Sequence, residues 1–256
     1  MLLKEAHNVV AAVGSVVARA ATPLAQKTGR DLAWYRRERA IVEHLVDAGA
    51  PVVAPADVLD PGPHERDGYI VLFWERVDVD SDVIWDAGAV AESLVAVQRA
   101  LSAYAGERPP FWPLAQFDRM SGLVDLGADQ PLVVAARDRL EAVLAERQPH
   151  VRLVHGDAHL GNCLPTRSGP RWIDFEDACD APFEWDAACI GLAAEVGAAG
   201  PVARAVFERV YTTLDEPLFD AMLDFRAAVV AQWSAWAHGS RERAEPRLEW
   251  LRQRAR

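Results

Sequence analysis

The chain changes character near residue 76, and that change limits the folds open to it. Before it, short apolar or β-branched runs alternate with turn residues. Residues 9–13 and 16–20, separated by Gly14-Ser15, read as a β-hairpin. Residues 31–47 read as a helix: Asp31 is a natural N-cap, apolar residues recur at Trp34, Ile41, Val42 and Leu45, and Gly49 and Pro51 stop it. Val52-Val53 and residues 69–74 read as strands, with the polar, breaker-rich stretch 60–68 as a turn between them. Beyond residue 76 the apolar spacing is mostly helical. Residues 87–101 and 132–147 read as helices, and 185–254 as mostly helical with breaks near 197–201 and 239–240. Leu153-Val154 and Trp172-Ile173 are short strand candidates around a loop. The expectation is an α+β chain, with a sheet part at 1–76 and a helical part at 77–256.

Composition narrows the partners. Lys and Arg number 27 against 38 Asp and Glu, a net charge of −11, which argues against a chain that holds nucleic acid through its phosphates. No run of about 20 apolar residues is present, so no membrane helix is expected. Residues 9–18 are apolar and precede the small-x-small triplet 18–20. A secretory signal is nevertheless not expected, because Glu5 cancels Lys4 and Gly14-Ser15 interrupts the run. Cys163, Cys179 and Cys189 are odd in number and show no C-x-x-C spacing, which points to a reducing, cytoplasmic setting.

The chemistry-bearing stretch is Leu153-Val154-His155-Gly156-Asp157-Ala158-His159-Leu160-Gly161-Asn162, followed by Trp172-Ile173-Asp174-Phe175-Glu176. Two apolar pairs deliver the chain into loops bearing Asp157, Asn162 and Asp174. Phosphoryl transfer from a nucleotide needs such a set: a carboxylate to orient an acceptor hydroxyl and take its proton, and an amide and a second carboxylate to hold Mg2+ against the phosphates.

H-G-D-x-x-x-x-N followed by I-D-F resembles the aminoglycoside phosphotransferase and choline kinase-like enzymes, small-molecule relatives of the protein kinases. Gly156 stands where the protein-kinase loop has Arg, and Glu176 where its metal motif has Gly, so the small-molecule branch is favoured. The resemblance implies a protein kinase-like two-lobed fold. It also implies transfer of the γ-phosphoryl group of ATP or GTP to a hydroxyl of a small molecule, with Mg2+. The acceptor is first an aminoglycoside or another hydroxylated antibiotic, with a role in resistance; choline, an amino alcohol or another metabolite is the alternative. Asp157 then stands as catalytic base, and Asn162 and Asp174 as metal ligands. Arg19 falls where the nucleotide-gripping lysine should be, with Glu38 as its partner and Glu43 as the alternative. Phe73, Trp74 and Arg76 fall in the segment that meets the base. The glycine-rich loop is reduced to Gly14. A non-catalytic nucleotide-binding module is the competing reading from another class.

Other residues carry weaker signals. His155, Asp157 and His159 form H-x-D-x-H, a zinc-binding possibility that leaves Asn162 and Asp174 unexplained. His155 reads as a brace for the loop, and His159 as a residue that could approach substrate. Asp174, Glu176, Asp177, Asp180, Glu184 and Asp186 form an acidic stretch; Glu176 and Glu184 are candidates for a rim that receives a cationic acceptor. Asp186 reads as a helix cap or a bond back to the catalytic loop. Trp233 and Trp236, with Phe219, Met222, Val229 and Val230, read as a core stripe rather than a cage for a quaternary ammonium. Arg252, Arg254 and Arg256 read as a solvated helix end.

Overall fold

The computed structural model describes residues 1–5, 8–23, 27, 29–80, 85–197 and 200–255. The protein is α+β. Its residues gather into two compact units: Met1–Arg108 with Gly161–Ala178, and Pro109–Leu160 with Cys179–Arg256.

The first unit is built on a five-stranded antiparallel sheet of order β1-β2-β3-β5-β4: β1 Leu2–Glu5, β2 Asn8–Val13, β3 Val16–Ala21, β4 His64–Arg66 and β5 Tyr69–Glu75. The hairpin of β2 and β3 has the two-residue turn Gly14-Ser15, with Val13 opposite Val16. Gly14 has φ +59°, the left-handed first position that a tight hairpin turn requires. Asp67-Gly68 makes the equivalent turn between β4 and β5, with φ of +51° and +79°. The stretch expected as one long turn therefore holds a short edge strand, β4. Val52 makes only an isolated bridge, parallel to Trp172.

Helix α1, Leu32–Asp47, begins as its sequence implies: Asp31 Oδ1 accepts from the Trp34 N–H at 2.9 Å. Its buried face is Tyr35, Glu38, Ile41, Val42 and Leu45, so Tyr35 rather than Trp34 points inward. Tyr35 packs with Ala21, Ile70 and Leu72 from the sheet. Helix α2, Ala87–Ser102, and the hairpin of β7 (Cys163–Thr166) and β8 (Gly169–Trp172) complete the unit. They join it through Trp172, which is fully buried. Its Nε1 donates to Ser93 Oγ of α2 at 2.9 Å, and its backbone N–H donates to Pro51 O at 2.8 Å. The leading segment of this unit runs to Arg108.

The second unit holds α3 Pro113–Ser121, α4 Gln130–Arg147, α5 Glu184–Val196, α6 Gly200–Val210, α7 Glu216–His238 and α8 Glu245–Arg254. A two-stranded sheet of β6, Arg152–Val154, and β9, Cys179–Ala181, accompanies them. Helix α7 is the central one and packs on α4, α5 and α8. Its core positions are Leu218, Ala221, Met222, Phe225, Ala228, Ala231 and Ala235. Trp233 and Trp236 are only half-buried, with ring centroids 5.3 Å apart. Of the expected stripe only Met222 is fully buried; Phe219, Val229 and Val230 are half-buried like the two tryptophans, and alanines fill much of the core face. The arginines of α8 are not a solvated end either. Arg252 forks onto Asp129, with Nε and Nη2 both at 2.8 Å, and Arg254 Nε donates to Asp224 at 2.6 Å. Arg256 lies outside the described residues.

Candidate active site

Arg19 comes from β3, opposite Val10 of β2 and Leu72 of β5, and is 8% exposed. Its guanidinium lies 5.7 Å from the Tyr35 ring and 5.5 Å from the Trp74 ring, which places a cation against two aromatic faces. Its Nη2 donates to Glu38, on the buried face of α1. Its Nη1 donates to Asp174 Oδ1 at 2.8 Å and lies 3.7 Å from Glu176. Burial works against this charge, but Glu38, Glu176 and Asp174 outweigh it and hold the guanidinium above its ordinary value. Glu43, the alternative partner, pairs with Arg39 at 2.8 Å on the surface.

Asn162 and Asp174 flank the open end of the β7–β8 hairpin, whose last pair is Cys163 opposite Trp172. The Ile173 N–H donates to Asn162 O at 3.0 Å, so the two residues leave the hairpin side by side. Asp174 has φ +68°, a left-handed backbone that costs a non-glycine residue energy and that aspartate tolerates better than most. That conformation turns the chain into the short helical turn Phe175–Asp177. Arg30, just before the N-cap of α1, ties that turn down: its Nη2 donates to Asp177 Oδ1 at 2.6 Å, and its Nε lies 3.5 Å from Glu176.

Two guanidiniums, of Arg19 and Arg30, thus face four carboxylates, of Glu38, Asp174, Glu176 and Asp177. Carboxyl groups outnumber the guanidiniums here, and burial and crowding raise some of them towards the neutral form. Burial first, and then Asp174, pushes the Glu176 carboxyl up to about 8. Among the described residues no three His, Cys, Asp or Glu side chains form a complete metal cage. The donor set fits Mg2+, which takes hard oxygens, one or two of them carboxylate, and completes its shell with water and phosphate. Asp174 and Asn162 are the residues that would hold it.

In the second unit, β6 delivers the loop bearing Asp157. Asp186, at the start of α5, is fully buried; its Oδ2 accepts from the His155 N–H at 3.1 Å and its Oδ1 from the Gly156 N–H at 3.0 Å. The bond back to the loop is thus the role it takes. Gly156 has φ +85°, and its carbonyl accepts from Trp185 Nε1 at 2.8 Å, a conformation that favours glycine over the arginine of protein kinases. His155 is fully buried and accepts the Asp157 N–H at Nδ1, 3.3 Å away. It is therefore a brace. Among the described residues, His155, Asp157 and His159 do not form a group that could hold a metal ion.

Asp157 itself meets an unforeseen partner: Arg226 of α7 donates to its Oδ1. His159 Nε2 lies 3.5 Å from its Oδ2. Burial would raise the carboxyl, but Arg226 chiefly, then His159 and His155, hold it well below the usual carboxylate range, so it is ionised. Arg247 of α8 carries a further cation nearby; burial and the Arg226 charge together keep its guanidinium below the ordinary arginine value. The only sequence signal for Arg226 is a lone charge inside the apolar run Phe225–Ala231. Arg30 carries no signal at all.

The remaining expected residues are placed differently. The Phe73 N–H donates to Pro61 O at 2.9 Å and its carbonyl accepts from the Ala56 N–H at 3.0 Å. The Arg76 N–H donates to Ser15 O at 2.8 Å, and its side chain lines an open groove with Asp78, Thr166 and Arg171. Those backbone groups belong to the sheet and the turn, and Trp74 contributes its ring. Glu184 accepts the Asp215 N–H at 3.2 Å, and Glu176 pairs with the arginines. Of the acidic stretch, Asp186 is fully buried, and Glu176 and Glu184 are half-buried. Cys163, beside Asn162, is buried, and burial pushes its thiol up to about 12, so it is inert.

Comparison with known proteins agrees with this layout. The chain has the fold of an amicoumacin kinase, hAmiN, solved in complex with AMP-PNP, Ca2+ and Ami; it is 16% identical, with a TM-score of 0.72 over 99% of this chain and 88% of that one. The aminoglycoside phosphotransferase APH(4)-Ia is also 16% identical, with a TM-score of 0.72 over 98% and 92%. A choline/ethanolamine kinase family protein from Mesorhizobium loti is 15% identical, with a TM-score of 0.68 over 99% and 86%. The fold is thus the protein kinase-like one. The description of the phosphotransferase enzyme family matches residues 14–225, and the chain belongs to that family.

Proposed function

We propose that the protein transfers the γ-phosphoryl group of ATP or GTP to a hydroxyl of a small molecule. The observation that carries this reading is Arg19, held between Glu38 and Asp174. A cation anchored on a helix glutamate and touching a metal-site carboxylate suits the oxygens of a nucleotide phosphate. When bound, Mg2+ would neutralise phosphate charge, held by Asn162 and Asp174. Arg19 adds a fork of donors that does not titrate. Asp157, ionised, accepts the hydrogen bond of the acceptor hydroxyl, orients it and receives its proton. Asp186 and His155 fix the loop so that this orientation is already set before the acceptor arrives.

The intact Asp157, Asn162 and Asp174 favour this reading over a non-catalytic nucleotide-binding module. Among acceptors, an aminoglycoside or another hydroxylated antibiotic is the first class to assay, because two of the structures that share the fold are an amicoumacin kinase and an aminoglycoside phosphotransferase. The test is transfer from ATP and GTP with Mg2+ across a panel of acceptors, read by mass spectrometry. Asp157→Asn should abolish transfer and leave nucleotide binding near normal. Unchanged turnover in that variant would remove Asp157 from the reaction.

A further inference from the structure

Resting on the phosphotransferase reading, we infer that Arg19 and Mg2+ compete for Asp174, so that the protein holds the metal tightly only once a nucleotide phosphate has drawn Arg19 away. Arg19 Nη1 donates to Asp174 Oδ1 at 2.8 Å, a charge-assisted hydrogen bond on the carboxylate proposed to hold the metal. A carboxylate ligand serves Mg2+ through its full negative charge and its hard oxygens. A guanidinium on one of those oxygens offsets the charge and sets a cation beside the place of a divalent ion. Asp174 cannot serve both at full strength.

The two ends of the guanidinium are held differently. Nη2 donates to Glu38, whose side chain is wholly buried on α1. The Asp174 side chain is 33% exposed, so an incoming group can reach it. Nη1 also has a second acceptor close by: Glu176 Oε2 lies 3.7 Å away, and that oxygen is buried with no hydrogen-bond partner. Arg19 Nε is likewise buried with no hydrogen-bond partner. A small shift of Nη1 from Asp174 towards Glu176 therefore keeps the anchor on Glu38, satisfies an orphaned oxygen and frees Asp174. Phosphate oxygens brought to the same fork add acceptors and make the shift favourable.

Binding free energies are reciprocal, so each ligand assists the other by the same factor. A phosphate that takes Arg19 frees Asp174 for the metal. A metal that takes Asp174 frees Arg19 for the phosphate. Arg19 thus couples the two sites, beyond the direct attraction of metal for phosphate.

The experiment reads metal binding apart from turnover. Mn2+ binding is followed by electron paramagnetic resonance, and Mg2+ by its competition with Mn2+, each with and without ADP. Arg19→Met with Glu38→Gln should bind Mn2+ without nucleotide about 10-fold more tightly than the natural protein, the low end for loss of one competing charge-assisted hydrogen bond. Its nucleotide affinity should fall, so the two affinities move in opposite directions, whereas a disturbed fold would weaken both. Addition of Asp174→Ala should remove the gain. Arg19→Lys keeps the charge without the fork that spans Glu38 and Asp174, and should show part of the gain. Thermal unfolding reports whether the variants fold; if the double variant does not, Arg19→Lys carries the comparison. Arg30→Met removes an equal charge, one that is paired with Glu176 and Asp177, and should give a smaller gain. Unchanged or weaker Mn2+ binding without nucleotide, a gain that survives Asp174→Ala, or an equal gain from Arg30→Met would each overturn the inference. Failure of the phosphotransferase reading is distinct: the natural protein would then bind no nucleotide even with Mg2+.

Discussion

Arg19 Nη1 donates to Asp174 Oδ1 at 2.8 Å, joining residues 155 positions apart in the chain. The same guanidinium holds Glu38 through its other nitrogen. One side chain therefore links a sheet strand, a helix and the turn that carries the proposed metal ligand. Its replacement tests more than charge. Arg19→Met leaves Glu38 buried beside an apolar side chain, which costs about 3–5 kcal/mol when one partner of a buried pair is removed. The expected result is a fall in thermal stability together with nucleotide affinity weakened by at least 10-fold. Arg19→Met with Glu38→Gln should recover part of the stability and none of the affinity. Titration calorimetry and thermal unfolding separate the two.

Asp174→Ala removes the carboxylate proposed to hold Mg2+. Nucleotide affinity measured with Mg2+ should drop towards the affinity measured without it. An affinity in Mg2+ equal to that of the natural protein would argue against Asp174 as a metal ligand. Arg19 keeps Glu38 in this variant, so the fold should persist.

Asp186→Ala orphans two buried donors, the N–H groups of His155 and Gly156. Each unsatisfied group costs about 1–3 kcal/mol, so urea unfolding should show a loss of about 2–6 kcal/mol. Turnover should fall as well, because the loop carrying Asp157 loses its anchor. A variant with full stability would show that the Asp186 bonds contribute little.

Asp129 provides a pH test away from the site. Hydrogen bonds from Arg252, working against burial and joined by Arg241, lower its carboxyl from 3.8 to about 2. Its folded value lies below its unfolded value. The pair therefore stabilises the protein fully above about pH 4, and that contribution is lost as pH falls towards 2. A shift of this size is worth about 2 kcal/mol. Asp129→Asn should be less stable than the natural protein at pH 7 by about that amount, and the difference should shrink as the pH approaches 2. Urea midpoints measured at pH 7, 4 and 2.5 check the sign.

Much of the site follows from local pattern. Asp31 caps α1 where its sequence places it, and the spacing of that helix puts Glu38 on the face that meets β3. The hairpin at Gly14-Ser15 puts Arg19 two residues from the end of β3. Local pattern misleads where several residues compete for one face. Trp34 and Trp236 are larger than Tyr35 and Ala235, yet the smaller residues are the buried ones, because helical phase rather than size decides which residue faces the core. The arginines of α8 look like a solvated end until Asp129, Asp220 and Asp224 are seen across from them.

The sequence by itself determined the α+β layout and the spacing of Asp157, Asn162 and Asp174. These rest on periodicity, turn chemistry and short-range spacing, which the chain carries locally. Only the tertiary structure decided the charge around each site. Arg30 on Glu176 and Asp177, and Arg226 on Asp157, join segments far apart in the chain. A residue's charge is written in its side chain, but its counter-charge is chosen by packing.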